Sequence, residues 1–203
     1  ALTIRTSTLV YYFEYNSGNK HLVPLINGIS IIQVLGMAVI PFIVKFSSKR
    51  STMITGFLLA AIGQIIMFVA GTTLSVIIIG WIIGCIGSGI ACSMPFAMLS
   101  DTVDYGEWKT GIRASGFLTA IGSAFCIKAG TGIGGFIPTQ IMGAFGYVPN
   151  TVQSHASLFG IQFSFIWVPT IIFALGIIPM LFYYKYEKNE LQIRNDLTAN
   201  KAS

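Results

Sequence analysis

Asp101, Asp104, Glu107, Lys109 and Arg113 crowd thirteen positions of a chain with only seven acidic residues. Aspartates three apart suggest metal binding or prenyl transfer. A metal would call for further carboxylates or histidines, but His21 and His155 lie in other loops. Prenyl transfer would need a second acidic cluster, which the chain lacks. What remains is electrostatic switching. Asp101 and Asp104 follow an apolar segment, and acids at a helix C-terminus oppose its dipole by a few tenths of a kcal/mol each, about 0.3 to 1. They need compensation from Lys109, Arg113, the basic loop Lys45–Arg50 or another chain. In a helix, Asp101, Asp104 and Glu107 would share a face. Charges that pair in one conformation and part in another make an ionic latch, with Arg50 among the candidate partners.

Two further cations sit where lipid is expected. Lys128 lies about 12 residues, or about 18 Å, into an apolar segment. A lysine near mid-membrane costs at least about 2.5–3.5 kcal/mol, so it should face a water-filled cavity or an acidic partner. No acid sits at mid-depth in the complete apolar blocks, so the partner must come from outside this chain or from a substrate. Arg5 is the second buried candidate. If both cations face one path, they favour an anionic ligand; Arg5 could equally pair with a carboxylate outside this chain. Tyr11, Tyr12, Phe13 and Tyr15 suit an interface belt or a stacking surface for sugar, and Glu14 beside them reads as a solvated end residue.

The elements that hold these residues follow from composition. Charged residues make up 9% of the 203 and hydrophobic ones 54%, against about 25% charged in soluble domains. Such a chain is an all-α polytopic membrane protein. Its net charge of +5 reflects topology and not nucleic-acid binding. Six apolar blocks are counted: 1–13, 22–46, 53–71, 76–99, about 116–145, and 158–184. The first covers only about 20 Å, short of a span, and reads as the back end of a helix. Prolines 24, 41, 95, 138, 169 and 179 predict kinks.

Lys45, Lys49, Arg50, Lys109, Arg113, Lys185, Lys188, Arg194 and Lys201 fall in alternate loops and the tail. The positive-inside bias makes those loops and the C-terminus cytoplasmic. The expected division is a transmembrane six-helix half-domain, 1–186, and a solvated, partly helical cytoplasmic tail, 187–203. No signal peptide is expected. Cys85, Cys92 and Cys126 have no metal-ligand spacing and read as packing residues. Gly80 with Gly84 and Gly130 with Gly134 predict close helix contacts, with a sliding contact beside a cavity as the functional reading. No nucleophile–base pair lies at one depth, so no enzyme is expected.

The string Asp101-x-x-Asp104-Tyr105-Gly106-Glu107-Trp108-x-x-Gly111-x-Arg113, then Lys128-x-Gly130 and Gly146-Tyr147, resembles the glycoside–pentoside–hexuronide:cation symporters. Tyr11-Tyr12-Phe13-x-Tyr15 before Gly18-Asn19 resembles the end of that family's seventh helix. The resemblance implies the major-facilitator fold, of which this chain is the C-terminal half, helices 7–12 with helix 7 truncated. It implies sugar or glycoside uptake driven by Na⁺, H⁺ or Li⁺, with alternating access, in a bacterial cytoplasmic membrane. The coupling cation and main sugar carboxylates are expected in the missing N-terminal six-helix half, and no cofactor is implied.

Lys128 matches the family's cavity lysine, with Thr131 beside it. Cys92 and Ser123 align with cavity-facing positions, where melibiose permease has tryptophan and glutamine. Asp101, Asp104, Glu107, Lys109, Arg113 and Arg50 fall on the cytoplasmic gate. A non-transporting sensor or assembly protein with a transporter-like fold is the alternative; in it Lys128 and the charged strap would be dispensable.

Overall fold

The computed structural model describes residues 1–71 and 73–202. Ser203 and the side chains of the tail cations Lys185, Arg194 and Lys201 lie outside the described set. The first block forms α1 (Leu2–Tyr11) and a π turn, Tyr12–Asn16. The second forms α2 (Val23–Ile29) and α3 (Ile32–Phe46). The third is α4 (Lys49–Ala70) and the fourth α5 (Leu74–Thr110). The fifth joins α6 (Ser115–Thr119) through a π turn, Ala120–Phe125, to α7 (Cys126–Ala144). The sixth joins α8 (His155–Gln162) through a π turn, Phe163–Trp167, to α9 (Val168–Ala202). Five of these stretches, Lys20–Phe46, Lys49–Ala70, Leu74–Thr110, Ser115–Ala144 and His155–Glu190, are long and apolar enough to cross a membrane. The fold is an all-α, multi-pass membrane half.

Local chemistry sets several boundaries. Ser48 caps α4 by accepting the Ser51 N–H at 3.1 Å, and Ser154 caps α8 through the Ser157 N–H at 3.2 Å, each satisfying an orphan donor of the first turn. Gly111 ends α5 at φ 72°, its N–H reaching the Glu107 carbonyl at 2.8 Å. That left-handed stop suits glycine. The prolines act unequally. Pro24 sits in the first turn of α2, where no backbone donor is missed. The second block breaks instead at Ser30–Ile31, where the Ser30 hydroxyl donates to the Ile26 carbonyl at 3.1 Å. Pro41, Pro95, Pro138 and Pro179 all lie inside helices.

The helix α5 is central, packed on α3, α4 and α9. A Cβ at Gly63 would lie 2.5 Å from the Gly84 nitrogen, and one at Gly87 2.3 Å from the Ala60 nitrogen. Across the other face, a Cβ at Gly89 would meet the Gln33 carbonyl at 2.3 Å. Gly80 and Gly84 therefore lie in a backbone contact, as the spacing predicts. Of the second pair, Gly134 meets Thr3 at 3.0 Å while Gly130 faces open space.

Two apolar clusters fill the interior. One, around Phe13, Ile26, Met67, Trp81 and Phe165, lies away from the basic loops; the other, around Met53, Ile90, Met94 and Met98, lies toward them. The outer faces stay apolar, with Val34, Leu35, Phe42, Ile133 and Phe136 exposed, as a lipid solvent or a second helical layer requires.

Gly87→Val should force α4 and α5 apart. Overpacking of this kind costs about 1–3 kcal/mol and is read as a lower unfolding temperature in detergent. Gly143→Ala, which meets nothing within 4 Å, should leave that temperature nearly unchanged.

Candidate functional site

Lys128 stands near the start of α7, just beyond the π turn, with its side chain exposed and in no ion pair among the described residues. Its neighbours Cys126, Ile127, Gly130 and Thr131 line a cavity of about 420 Å³, together with Thr3 of α1 and Ser88 of α5. Ala91, Cys92, Cys126 and Ile127 also border a larger cavity of about 1090 Å³ toward the basic end, whose walls include Phe96, Tyr105, Phe182 and Tyr186. Cys92 thus sits at the wall shared by both. Ser123 falls within the π turn and donates to the Thr119 carbonyl at 2.6 Å; it lines neither cavity.

Two hydroxyls of the smaller cavity are committed as donors. Thr131 donates to the Ile127 carbonyl at 2.9 Å and Ser88 to the Cys85 carbonyl at 3.0 Å. Their oxygens keep lone pairs, so they offer acceptors to a hydroxylated ligand. Lys128 supplies three donors. Lys128 itself lines neither cavity, and Leu2, Phe57, Ile127, Ile172 and Phe173 make most of the smaller wall apolar, so the cavity offers a few hydroxyls on an apolar surface.

Arg5 and Tyr12 lie elsewhere. Tyr12 is buried and stacks on Phe165, centroids 4.6 Å apart, inside the core. Arg5 is 2% exposed, its guanidinium carbon 3.9 Å above the Trp81 ring. Its Nη2 donates to the Trp81 carbonyl at 3.4 Å and points at the Cys85 sulfur at 3.9 Å. Trp81 in turn donates to the Ser30 hydroxyl at 3.1 Å. Gly84 makes the room: a Cβ there would lie 2.8 Å from Arg5 Nη2. Neither Arg5 nor Tyr12 lines a cavity. The cation is instead held on an aromatic face, a partner no sequence spacing announces.

The charged strap is helical as far as Thr110 and splits in two. Asp101 is 2% exposed; Lys49 reaches both its oxygens at 2.7 Å, and the Tyr183 hydroxyl donates to it. Asp104 and Glu107 turn to Arg113, beyond the Gly111 stop, at 3.4 Å for Asp104 and closer for Glu107. Residues three apart drift by about 60° on a helix of 3.6 residues per turn, so the three acids do not form one face. Asp101 also lies nine residues before the helix end, where the dipole penalty has faded. Lys109 lies 5.9 Å above the Tyr105 ring, and Arg50 Nε donates to the Met180 carbonyl at 2.9 Å, tying α4 to α9. The basic loop Lys45–Arg50 was among the expected partners of these acids, and its Lys49 is the one that pairs with Asp101; Tyr183 is a partner that sequence reading missed.

The family described as MFS/sugar transport protein matches residues 1–188. The chain is similar to the isoprimeverose transporter of Lactiplantibacillus pentosus, 40% identical over 98% of this chain and 41% of that protein. An uncharacterized symporter of Bacillus subtilis (strain 168) is 34% identical over 97% of this chain and 43% of the relative. The glucuronide carrier protein homolog of Escherichia coli (strain K12) is 34% identical over 79% and 35% respectively. The chain thus spans about two-fifths of the length of these curated relatives.

Asp101→Ala should destabilise the half by up to about 3 kcal/mol, because it strands Lys49 and Tyr183 beside a buried site. Asp104→Ala, in a half-exposed pair, should cost about 1 kcal/mol or less. Thermal unfolding of the two variants in micelles checks the contrast.

Proposed function

The chain belongs to the MFS/sugar transport family, of the glycoside–pentoside–hexuronide:cation symporter type, and on that premise we propose that it is the C-terminal six-helix portion of a cation-coupled sugar or glycoside symporter. It works by alternating access with a missing N-terminal half. The basic loops and the C-terminus face the cytoplasm, by the positive-inside bias. The relatives are bacterial, so the membrane is the bacterial inner membrane.

One observation carries this reading. Lys128 is a membrane-depth cation left exposed and in no ion pair among the described residues, on the segment whose Cys126, Ile127, Gly130 and Thr131 line the smaller cavity. An unpaired ammonium in hydrocarbon is untenable at a cost of several kcal/mol, at least about 2.5–3.5. Its surroundings in the whole protein must therefore be polar, supplied by carboxylates of the other half, by substrate and by water. The coupling cation, Na⁺, H⁺ or Li⁺, is placed mainly in that other half. Cys92 and Thr131, which line the cavities, are assigned to the C-terminal side of the path. Any preference for an anionic sugar rests on Lys128 alone, since Arg5 is taken up by Trp81.

Asp104, Glu107 and Arg113 form the mobile part of the cytoplasmic gate, and Asp101 with Lys49 forms its anchor. The partly exposed trio is held by side chains of one short segment, so its pairs separate at little cost, about 0–1 kcal/mol each.

In the full-length protein, Lys128→Ala should abolish accumulation of labelled sugar in vesicles while membrane insertion stays intact. Normal accumulation would remove Lys128 from the path. Asp104→Asn should change the counterflow rate more than the KM for sugar, and unchanged exchange kinetics would argue against the gate assignment.

A further inference from the structure

The polar tail does more than end the chain. A helix rises about 1.5 Å per residue, so the 37 residues of α5 and the 35 of α9 reach about 50–55 Å, well beyond a hydrocarbon core of about 30 Å. Both overhang at the basic end, and there they stay in contact. Tyr186 is buried and meets the Tyr105 ring edge-on at 6.1 Å. Tyr105 packs on Trp108 at 6.0 Å. Glu190 approaches Lys49, the partner of Asp101, at 3.9 Å. Ile193 is fully buried although its surroundings in sequence are polar. Farther out, the Trp108 indole N–H donates to Asp196 at 2.9 Å. An isolated polar helix in water frays; this one is tied along its length to the strap.

We propose that the tail segment Glu187–Asp196 is a positioning strut for the Asp101–Arg113 strap, with Asp196 and Ile193 as positioning residues. Tyr186, Ile193 and Asp196 hold the overhang of α5 against α9, and Glu190 shares Lys49 with Asp101. The outer turns of the strap, which carry Asp104 and Glu107, are thereby presented in one orientation to whatever closes over them. This deepens the gate assignment and rests on it.

The test uses the full-length transporter. Asp196→Ala and Trp108→Phe each remove the indole hydrogen bond and spare the membrane segments. Each should lower the maximal counterflow rate about three- to tenfold, the size of one hydrogen bond, while the KM for sugar stays constant. Asp196→Asn keeps an acceptor oxygen and should restore the rate. Hydrogen–deuterium exchange supplies a readout independent of transport: in Asp196→Ala, peptides from 101–110 and 187–196 should lose protection together. Unchanged protection in both segments, or an Asp196→Asn variant as slow as Asp196→Ala, overturns the strut. A wild-type protein that inserts but shows no counterflow refutes the symporter reading instead, and the exchange data then decide the tail contact alone.

Discussion

Along α5, glycine lets neighbouring helices approach until backbone meets backbone. Gly84 sits against Gly63, Gly87 against Ala60 and Gly89 against Gln33, and no side chain larger than hydrogen fits at these points. In a bilayer, helices gain little from hiding apolar surface, and close packing is the main source of association. The glycine faces therefore hold α3, α4 and α5 as one block. They also create the recess at Gly84 into which Arg5 reaches from α1. The same contact that packs the block thus admits a guanidinium, and Trp81 covers it.

With that block in place, the charges fall into two classes. Arg5 and Asp101 are both 2% exposed and both partnered inside the half: Arg5 lies on an aromatic face and donates to a carbonyl, with its Nε left without an acceptor among the described residues, and Asp101 sits on Lys49 and Tyr183. Such groups are costly to strand, which makes them anchors. Lys128, Arg113 and Lys109 stay exposed: Arg113 pairs with Asp104 and Glu107 at the surface, Lys109 lies over Tyr105, and Lys128 has no ion pair among the described residues. Motion in a gate or cavity has to use charges of the second class, because separating them costs little and re-pairing them elsewhere is easy. The basic end combines both: Asp101 anchors the strap, and Asp104 and Glu107 ride on it.

The composition made the membrane architecture legible, and the apolar blocks coincide with the helices to within a few residues except at the basic ends of α5 and α9, which run on to Thr110 and Ala202. The string from Asp101 to Arg113 made the family legible. Side-chain direction was harder to read. Arg5 and Tyr12 shared a segment with plausible path residues, yet both turn inward, because α1 packs its Ile4–Leu9 face on the half's own core. The acids of the strap looked like one face, but two steps of three residues turn Glu107 about 120° from Asp101, so Asp101 meets Lys49 while Asp104 and Glu107 meet Arg113. The tail looked solvated by composition, while tertiary contact buries Ile193 and Tyr186. Proline content pointed to breaks in the second block at 24 and 41, and the break lies at Ser30–Ile31, beside the Trp81 indole.

By itself the sequence determined that this chain lives in lipid, where its helices run, which ends carry positive charge and which family it belongs to. These follow from local hydropathy and from a motif contiguous in the chain. Only the tertiary structure decided which charges are buried and paired: Arg5 with Trp81 across 76 positions, Asp101 with Lys49 across 52, and Trp108 with Asp196 across 88. Partners that far apart are brought together by helix packing. Packing depends on which face each helix turns to its neighbours, and local periodicity in a helix apolar all round cannot specify that face.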